Sequence, residues 1–280
     1  RNPTLFSYFE PYMNVIRETE AINAMKSLES NLTLPLGIGV PMGEIFPFLD
    51  IAANMSEVKR IELGIERPLF HLKEEHFDIG KNIAKLHGIT TKIKLYRKNS
   101  MSVTKLDTLL KSIKFKSNKI SSKLKPTLDA CLKDIKKKWP KKLPEGIIHG
   151  DLFMDNIFFN KNKFSGFIDF YFSSNDYLMY EIAICINSLC FDKKKNSFVM
   201  NNKKIKNLIN GYESIRPFSK KEKDALNILC RGAALRYLLT RIYDYFNTPK
   251  TALIQVKDPN EYLQKLIIHN QLEIYTDYYK

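Results

Sequence analysis

Three short apolar runs separated by polar residues, all between residues 146 and 170, constrain this chain more than any other feature. Gly146-Ile-Ile-His149, Ile157-Phe-Phe159 and Phe167-Ile-Asp169 are too short for stable helices, and they carry the β-branched and aromatic residues that suit strands. Asn160-Lys-Asn-Lys163 supplies turn residues between the second and third runs, so those two read as a hairpin.

On both sides of this stretch the texture becomes helical. Asp78 to His87 sets Ile79, Ile83, Leu86 and His87 at helical spacing, and a Lys-rich helical stretch runs from about Ser117 to Trp139, ended by Pro140. From Tyr177 onward helices dominate, with a long one from about Lys221 to Phe246. The first fifty residues mix short apolar runs with Pro35, Gly37, Gly39, Pro41 and Gly43, which suits strands and turns around one helix near Ile16 to Leu28. The expected architecture is α+β. It has a small mixed N-terminal lobe over residues 1–50 and a largely helical lobe over residues 51–280.

Composition excludes several classes. At 280 residues and 44% apolar, the chain can bury a substantial core. Its longest apolar stretches, such as Ile182 to Phe191, fall short of the roughly 18 residues that cross a bilayer. No charged-then-apolar leader is evident. Cys131, Cys185, Cys190 and Cys230 lack C-x-x-C spacing and sit among apolar residues, so reduced core thiols in a cytoplasmic protein are expected. The net charge of +15 invites a nucleic-acid reading. However, the Lys runs at 111–125, 133–142 and 193–195 carry no nucleic-acid-binding signature and read as solvated faces. Neither a nucleic-acid nor a membrane partner is expected, and the sequence does not set an oligomeric state.

The chemistry lies in His149-Gly-Asp-Leu-Phe-Met-Asp-Asn156 and in Ile168-Asp169-Phe170 across the hairpin. Phosphoryl transfer needs one carboxylate to orient a hydroxyl and accept its proton, and oxygen ligands to hold magnesium on the phosphates. Magnesium takes only one or two carboxylates from a protein. Asp151, Asn156 five residues on, and Asp169 beyond the hairpin have that arrangement. The motif parallels the H-R-D-x-x-x-x-N and D-F-G pair of protein kinases, with Gly150 replacing the Arg and Tyr171 the final Gly.

This H-G-D-x-x-x-x-N and I-D pattern resembles the aminoglycoside-phosphotransferase family, whose members share a protein-kinase-like two-lobe fold. The resemblance implies ATP and Mg2+ as cofactors, Asp151 as catalytic base, Asn156 and Asp169 as metal ligands, and His149 as a structural brace. Further runs are similar to the homoserine kinases of that family: Asp169 to Asp176, Tyr180 to Ala183, Ile186 to Phe191, Leu229 to Arg236, Leu239 to Tyr245 and Lys257 to Leu263. Glu181 departs from the wider family, which usually carries Asp there, but the carboxylate is kept. The implied reaction is phosphorylation of L-homoserine, a step toward threonine. Choline, ethanolamine or an aminoglycoside as acceptor, and a non-catalytic binding role, are the alternatives.

An acceptor site for homoserine should hold an Arg for its carboxylate and a carboxylate or amide for its ammonium. Candidates are Arg231, Arg241 and Asp244 on the long helix and Asn187 on the helix before it. Arg231 and Arg241 point within about 80° of each other but lie roughly 15 Å apart along the axis, so the two cannot both clasp one small molecule. An interhelical salt bridge is the competing role for each. Nearer the start, Glu44-Ile-Phe-Pro-Phe-Leu49 resembles the strand entering an adenine-binding hinge, giving Glu44, Phe48 and Leu49 as nucleotide contacts. Only 43 residues precede it, so the N-terminal lobe is expected to be shortened. Gly37-Ile-Gly39 is a weak phosphate-loop candidate, Glu18 or Glu20 the candidate helix Glu, and Thr4-Leu-Phe6 the candidate tail of the strand that carries the lysine.

Overall fold

A computed structural model describes residues 75–113, 124–160, 163–195, 197–248 and 257–278. The helix expected at Ile16 to Leu28, the turn at Gly37, the candidates Glu18, Glu20 and Thr4 to Phe6, and the hinge residues Glu44, Phe48 and Leu49 lie outside the described residues. The chain divides into two compact units. One contains His149–Ser173, and the other His76–Ile148 with Ser174–Lys280.

The second unit is largely helical. Helix α1 (Glu75–Thr90) extends the expected Asp78–His87 segment at both ends and buries Ile79, Ile83, Ala84 and Leu86. Gly80 of α1 abuts the main chain at Leu208, and Gly211 abuts the main chain of Phe77. A Cβ at either glycine would collide with backbone, so α1 packs almost in contact with α5 (Asn202–Glu213). Helix α2 (Leu106–Ser112) and helix α3 (Leu124–Lys138) follow α1, α3 being the described part of the expected Lys-rich helix. Strand β1 (Glu145–Ile148) pairs antiparallel with β4 (Ser174–Tyr177), Ile148 opposite Ser174 and Glu145 opposite Tyr177.

Helix α4 (Leu178–Leu189) buries every residue except Ser188, as a helix enclosed by others must. It packs on α6 (Lys220–Asn247), which spans about 42 Å. Ser219 starts α6 with a reciprocal capping box: its side chain accepts from the Glu222 N–H while Glu222 Oε2 accepts from the Ser219 N–H. Helices dominate after Tyr177, as the sequence reading expected, and a hairpin of β5 (Phe191–Lys194) and β6 (Ser197–Met200) interrupts them. Helix α7 (Asn260–Asn270) packs on α6, and a single 3-10 turn at Tyr275–Tyr278 follows. Tyr278 is wholly buried there, its hydroxyl bonded to His269 Nδ1 at 3.1 Å and to Asn227 Nδ2 at 3.4 Å. The four cysteines are unpaired, three of them buried. Among the described residues no helix is long and apolar enough to cross a membrane.

In the first unit, β2 (Ile157–Asn160) pairs antiparallel with β3 (Lys163–Phe167), Ile157 opposite Phe167. The expected hairpin is present, but its second strand stops at Phe167 rather than continuing through Asp169. Asp169 adopts a left-handed backbone, φ 60° and ψ 66°, which an extended ladder does not accommodate. A 3-10 turn at Phe170–Phe172 begins at once. Ring contacts run from Phe159 to Phe164, to Phe167, and on to His149, whose ring centroid lies 4.6 Å from that of Phe170.

Candidate active site

The loop that follows β1 turns sharply at Gly150, whose φ is +81°. A Cβ there would come 2.8 Å from the Phe172 carbonyl, so both the conformation and the space call for glycine. The sequence showed Gly150 in the place of a kinase Arg. This geometry is why that position carries no side chain.

Beyond Gly150 four residues close a ring of hydrogen bonds. The Asp151 N–H donates to His149 Nδ1 at 3.3 Å, and His149 Nε2 donates to the Ile168 carbonyl at 2.7 Å. The Ile168 N–H donates to the Asn156 carbonyl at 3.1 Å, and Asn156 Nδ2 donates to the Asp151 carbonyl at 2.9 Å. The His149 ring is therefore engaged at both nitrogens, and its partners assign the neutral Nε2–H tautomer. Burial pushes its pKa down to about 4, the bond to Ile168 opposing that shift. A charged ring would have to give up the Asp151 N–H, so neutrality is built into the loop.

Asp151 and Asn156 are thus tied directly to each other, and Asp169 follows the residue that His149 holds. Asn156 is buried in the 3-10 turn Met154–Asn156. With its NH2 committed to Asp151, the group it offers a ligand is its carbonyl oxygen. Asp169 Oδ1 accepts from the Tyr171 N–H at 3.4 Å, capping the next turn. Asp169 is the only non-glycine residue with positive φ among the described residues, and strained backbone of that kind concentrates at functional positions. Among the described residues no group of three or more His, Cys, Asp or Glu is assembled for a metal. One carboxylate and an amide oxygen match the sparse protein ligand set magnesium takes, and do not match a zinc site.

The acceptor candidates all lie in the helical unit. Asn187 is fully buried on α4. Its Nδ2 donates to the carbonyls of Ala183 and Cys230 at 2.9 and 3.0 Å, and its Oδ1 meets His269 Nε2 at 3.2 Å. Its main-chain carbonyl accepts from Lys265 Nζ at 2.7 Å, so every polar group of the side chain is engaged within the core. Arg231 reaches across to α3 and pairs with Asp134 at 2.8 Å. Arg241 pairs with Glu261 of α7 at 2.7 Å, donates to the Asp258 carbonyl at 2.9 Å and lies over the Tyr262 ring. These are the interhelical pairings that the sequence left open for both arginines. Asp244 is exposed near the end of α6, and burial of part of its carboxyl raises its pKa. A link that no sequence signal indicated joins the segment at Arg97–Asn99 to Asn175 and Asp176 of β4.

The solved structures that resemble this chain share its protein-kinase-like α+β fold. A choline kinase from Cryptosporidium parvum is 15% identical with a TM-score of 0.52, over 71% of this chain and 64% of that one. A choline/ethanolamine kinase family protein from Mesorhizobium loti is 14% identical with a TM-score of 0.51, over 73% and 62%. At such identities the likeness is one of fold. In sequence, a curated homoserine kinase from Brucella anthropi is 40% identical over 205 residues, 73% of this chain and 62% of the relative. Another from Xanthobacter autotrophicus is 41% identical over 216 residues, 77% and 65%. The chain spans a little under two-thirds of the length of these relatives. The model of the phosphotransferase enzyme family matches residues 63–218, more than half of the chain and the whole ring of hydrogen bonds around His149. This chain belongs to that family of phosphotransferases.

Proposed function

We propose that the protein transfers the γ-phosphoryl group of ATP to the side-chain hydroxyl of L-homoserine, giving O-phospho-L-homoserine and ADP. The closed ring through His149, Asp151, Asn156 and Ile168 supports this reading, because it holds the loop carrying the proposed base and amide ligand to the residue before Asp169. The choice of acceptor is supported by identities of about 40% to curated homoserine kinases.

In this reading the Asp151 carboxylate orients the acceptor hydroxyl and takes its proton as the new O–P bond forms and the bond to the ADP oxygen breaks. The Asn156 carbonyl oxygen and the Asp169 carboxylate would hold Mg2+. When bound, the metal neutralises charge on the β- and γ-phosphates. His149 keeps the loop in register without entering the chemistry. The adenine is assigned to the hinge at Glu44, Phe48 and Leu49, in an N-terminal lobe over residues 1–50 that precedes a catalytic lobe over 51–280. A cytoplasmic setting and a small-molecule partner belong to the same reading.

The test is ATP consumption by the full-length protein with L-homoserine, choline, ethanolamine and kanamycin offered separately, the product identified by mass spectrometry. Homoserine is expected to support turnover and to yield its O-phosphate. Preference for another acceptor would overturn the substrate assignment, and Mg-ATP consumption with none of them would overturn the kinase reading.

A further inference from the structure

Lys265 of α7 is a cation held inside the helical unit, its side chain only 2% exposed. A buried ammonium persists only where paired groups replace its water. Lys265 Nζ donates to Glu261 Oε1 at 2.6 Å and to the Asn187 carbonyl at 2.7 Å. Three rings close round it, with centroids 5.1 Å away for Phe191, 5.4 Å for Phe198 and 4.6 Å for Tyr262. A carboxylate, a carbonyl and aromatic faces are the groups that recognise an alkylammonium ligand.

These partners come from separate elements of the one unit. Asn187 is fully buried in the last turn of α4, where a helix carbonyl finds no partner within its own helix. Lys265 supplies that partner and sets a positive charge at the negative end of the α4 dipole. Phe191 begins β5 and Phe198 belongs to β6, and the Phe198 N–H donates to Gln264 Oε1 of α7 at 3.0 Å. Glu261 has a second cation, Arg241 of α6, at 2.7 Å. Loss of Lys265 would therefore leave Glu261 paired but take away the donor to the buried Asn187 carbonyl.

We propose that Glu261, the Asn187 carbonyl, Phe191, Phe198 and Tyr262 form a binding site for a primary alkylammonium ion. The chain fills it with its own Lys265, and this tethered ligand fastens α7 and the β5–β6 hairpin to the end of α4. The site is independent of the acceptor assignment. Lys265→Ala removes the ligand and leaves a gap of the size of n-propylammonium. In thermal unfolding of the full-length protein, the K265A midpoint should fall by at least about 5 °C. Adding about 0.1 M n-propylammonium chloride should raise that midpoint by about 3 °C or more. Propan-1-ol or ammonium chloride at the same concentration should raise it by less than about 1 °C, and wild type, its site already filled, should not respond to propylammonium. Lys265→Met fills the gap without the charge, so it should be destabilised and should not respond either. A K265M midpoint equal to that of wild type overturns the proposal, as does the absence of rescue or equal rescue by propan-1-ol. If K265A does not fold unaided, the yield of folded protein on refolding with each additive makes the same comparison. A yield no higher with propylammonium than with propan-1-ol again overturns the proposal.

Discussion

His149 Nε2 donates to the carbonyl of Ile168 at 2.7 Å, and through that one bond the loop bearing Asp151 is fastened to the residue before Asp169. Nineteen positions separate the two partners in the chain. The β2–β3 hairpin covers that separation, so a local fold does the work of a long-range contact. A buried neutral imidazole suits the task because it donates at one nitrogen and accepts at the other, which Lys or Arg cannot do.

Replacing Asp151 with Asn removes the proposed proton acceptor and keeps the shape of the side chain. Turnover should fall by about 10²- to 10⁴-fold, with nucleotide affinity nearly unchanged. Steady-state rates and ATP-analogue titration check this, and a variant retaining most of its activity would remove Asp151 as the base.

Asp169→Ala should act on binding first. Loss of the proposed carboxylate ligand should raise the magnesium concentration needed for nucleotide binding by at least about tenfold. Nucleotide titration at several magnesium concentrations reads the effect, and normal binding would contradict the role given to Asp169.

Gly150→Ala places a Cβ at a φ of +81° and 2.8 Å from the Phe172 carbonyl. Stability should drop by about 1–3 kcal/mol, with a loss of kcat because the strained loop carries Asp151. Urea denaturation and kinetics measure the two effects. A fully active, fully stable variant would show that the turn is not required.

Acid should weaken the fold through its buried histidines. His87, His149 and His269 are inaccessible to solvent, and burial lowers their pKa values to about 3, about 4 and about 3, against an ordinary value near 6.5. Above about pH 6.5 the rings are neutral in both folded and unfolded chains, and the stability they contribute is fully present. As the pH falls from 7 to 5 the unfolded rings take up protons that the folded rings refuse. Each then costs about 2 kcal/mol, the loss levelling off only as the folded values are passed. The urea midpoint should therefore fall steeply between pH 7 and 5. A flat profile would mean that these rings charge within the folded protein.

Much of this structure is legible in the sequence where local signals decide. The long helix was expected from Lys221 to Phe246 and runs from Lys220 to Asn247, because Ser219 and Glu222 form a capping box readable as S-x-x-E. The hairpin after Asn156 followed from aromatic runs around an Asn-Lys turn. By contrast, β5 and β6 are only four residues each, and β5 is Phe-Asp-Lys-Lys, so periodicity does not mark them. The left-handed backbone of Asp169 left no trace, since Asp is an ordinary strand-end residue. The partners of Arg231 and Arg241 were equally hidden. Asp134 lies 97 positions from Arg231, and only the packing of α3 against α6 brings them together.

Tyr278 has a consequence for motion. Short surface turns commonly fray, and their amides exchange with solvent freely. The turn at Tyr275–Tyr278 is instead moored from within, because freeing its ring would strand Nδ1 of the buried His269. Deuterium should therefore enter this turn only when the helical unit as a whole comes apart, so its protection reports the cooperative opening of α6 and α7.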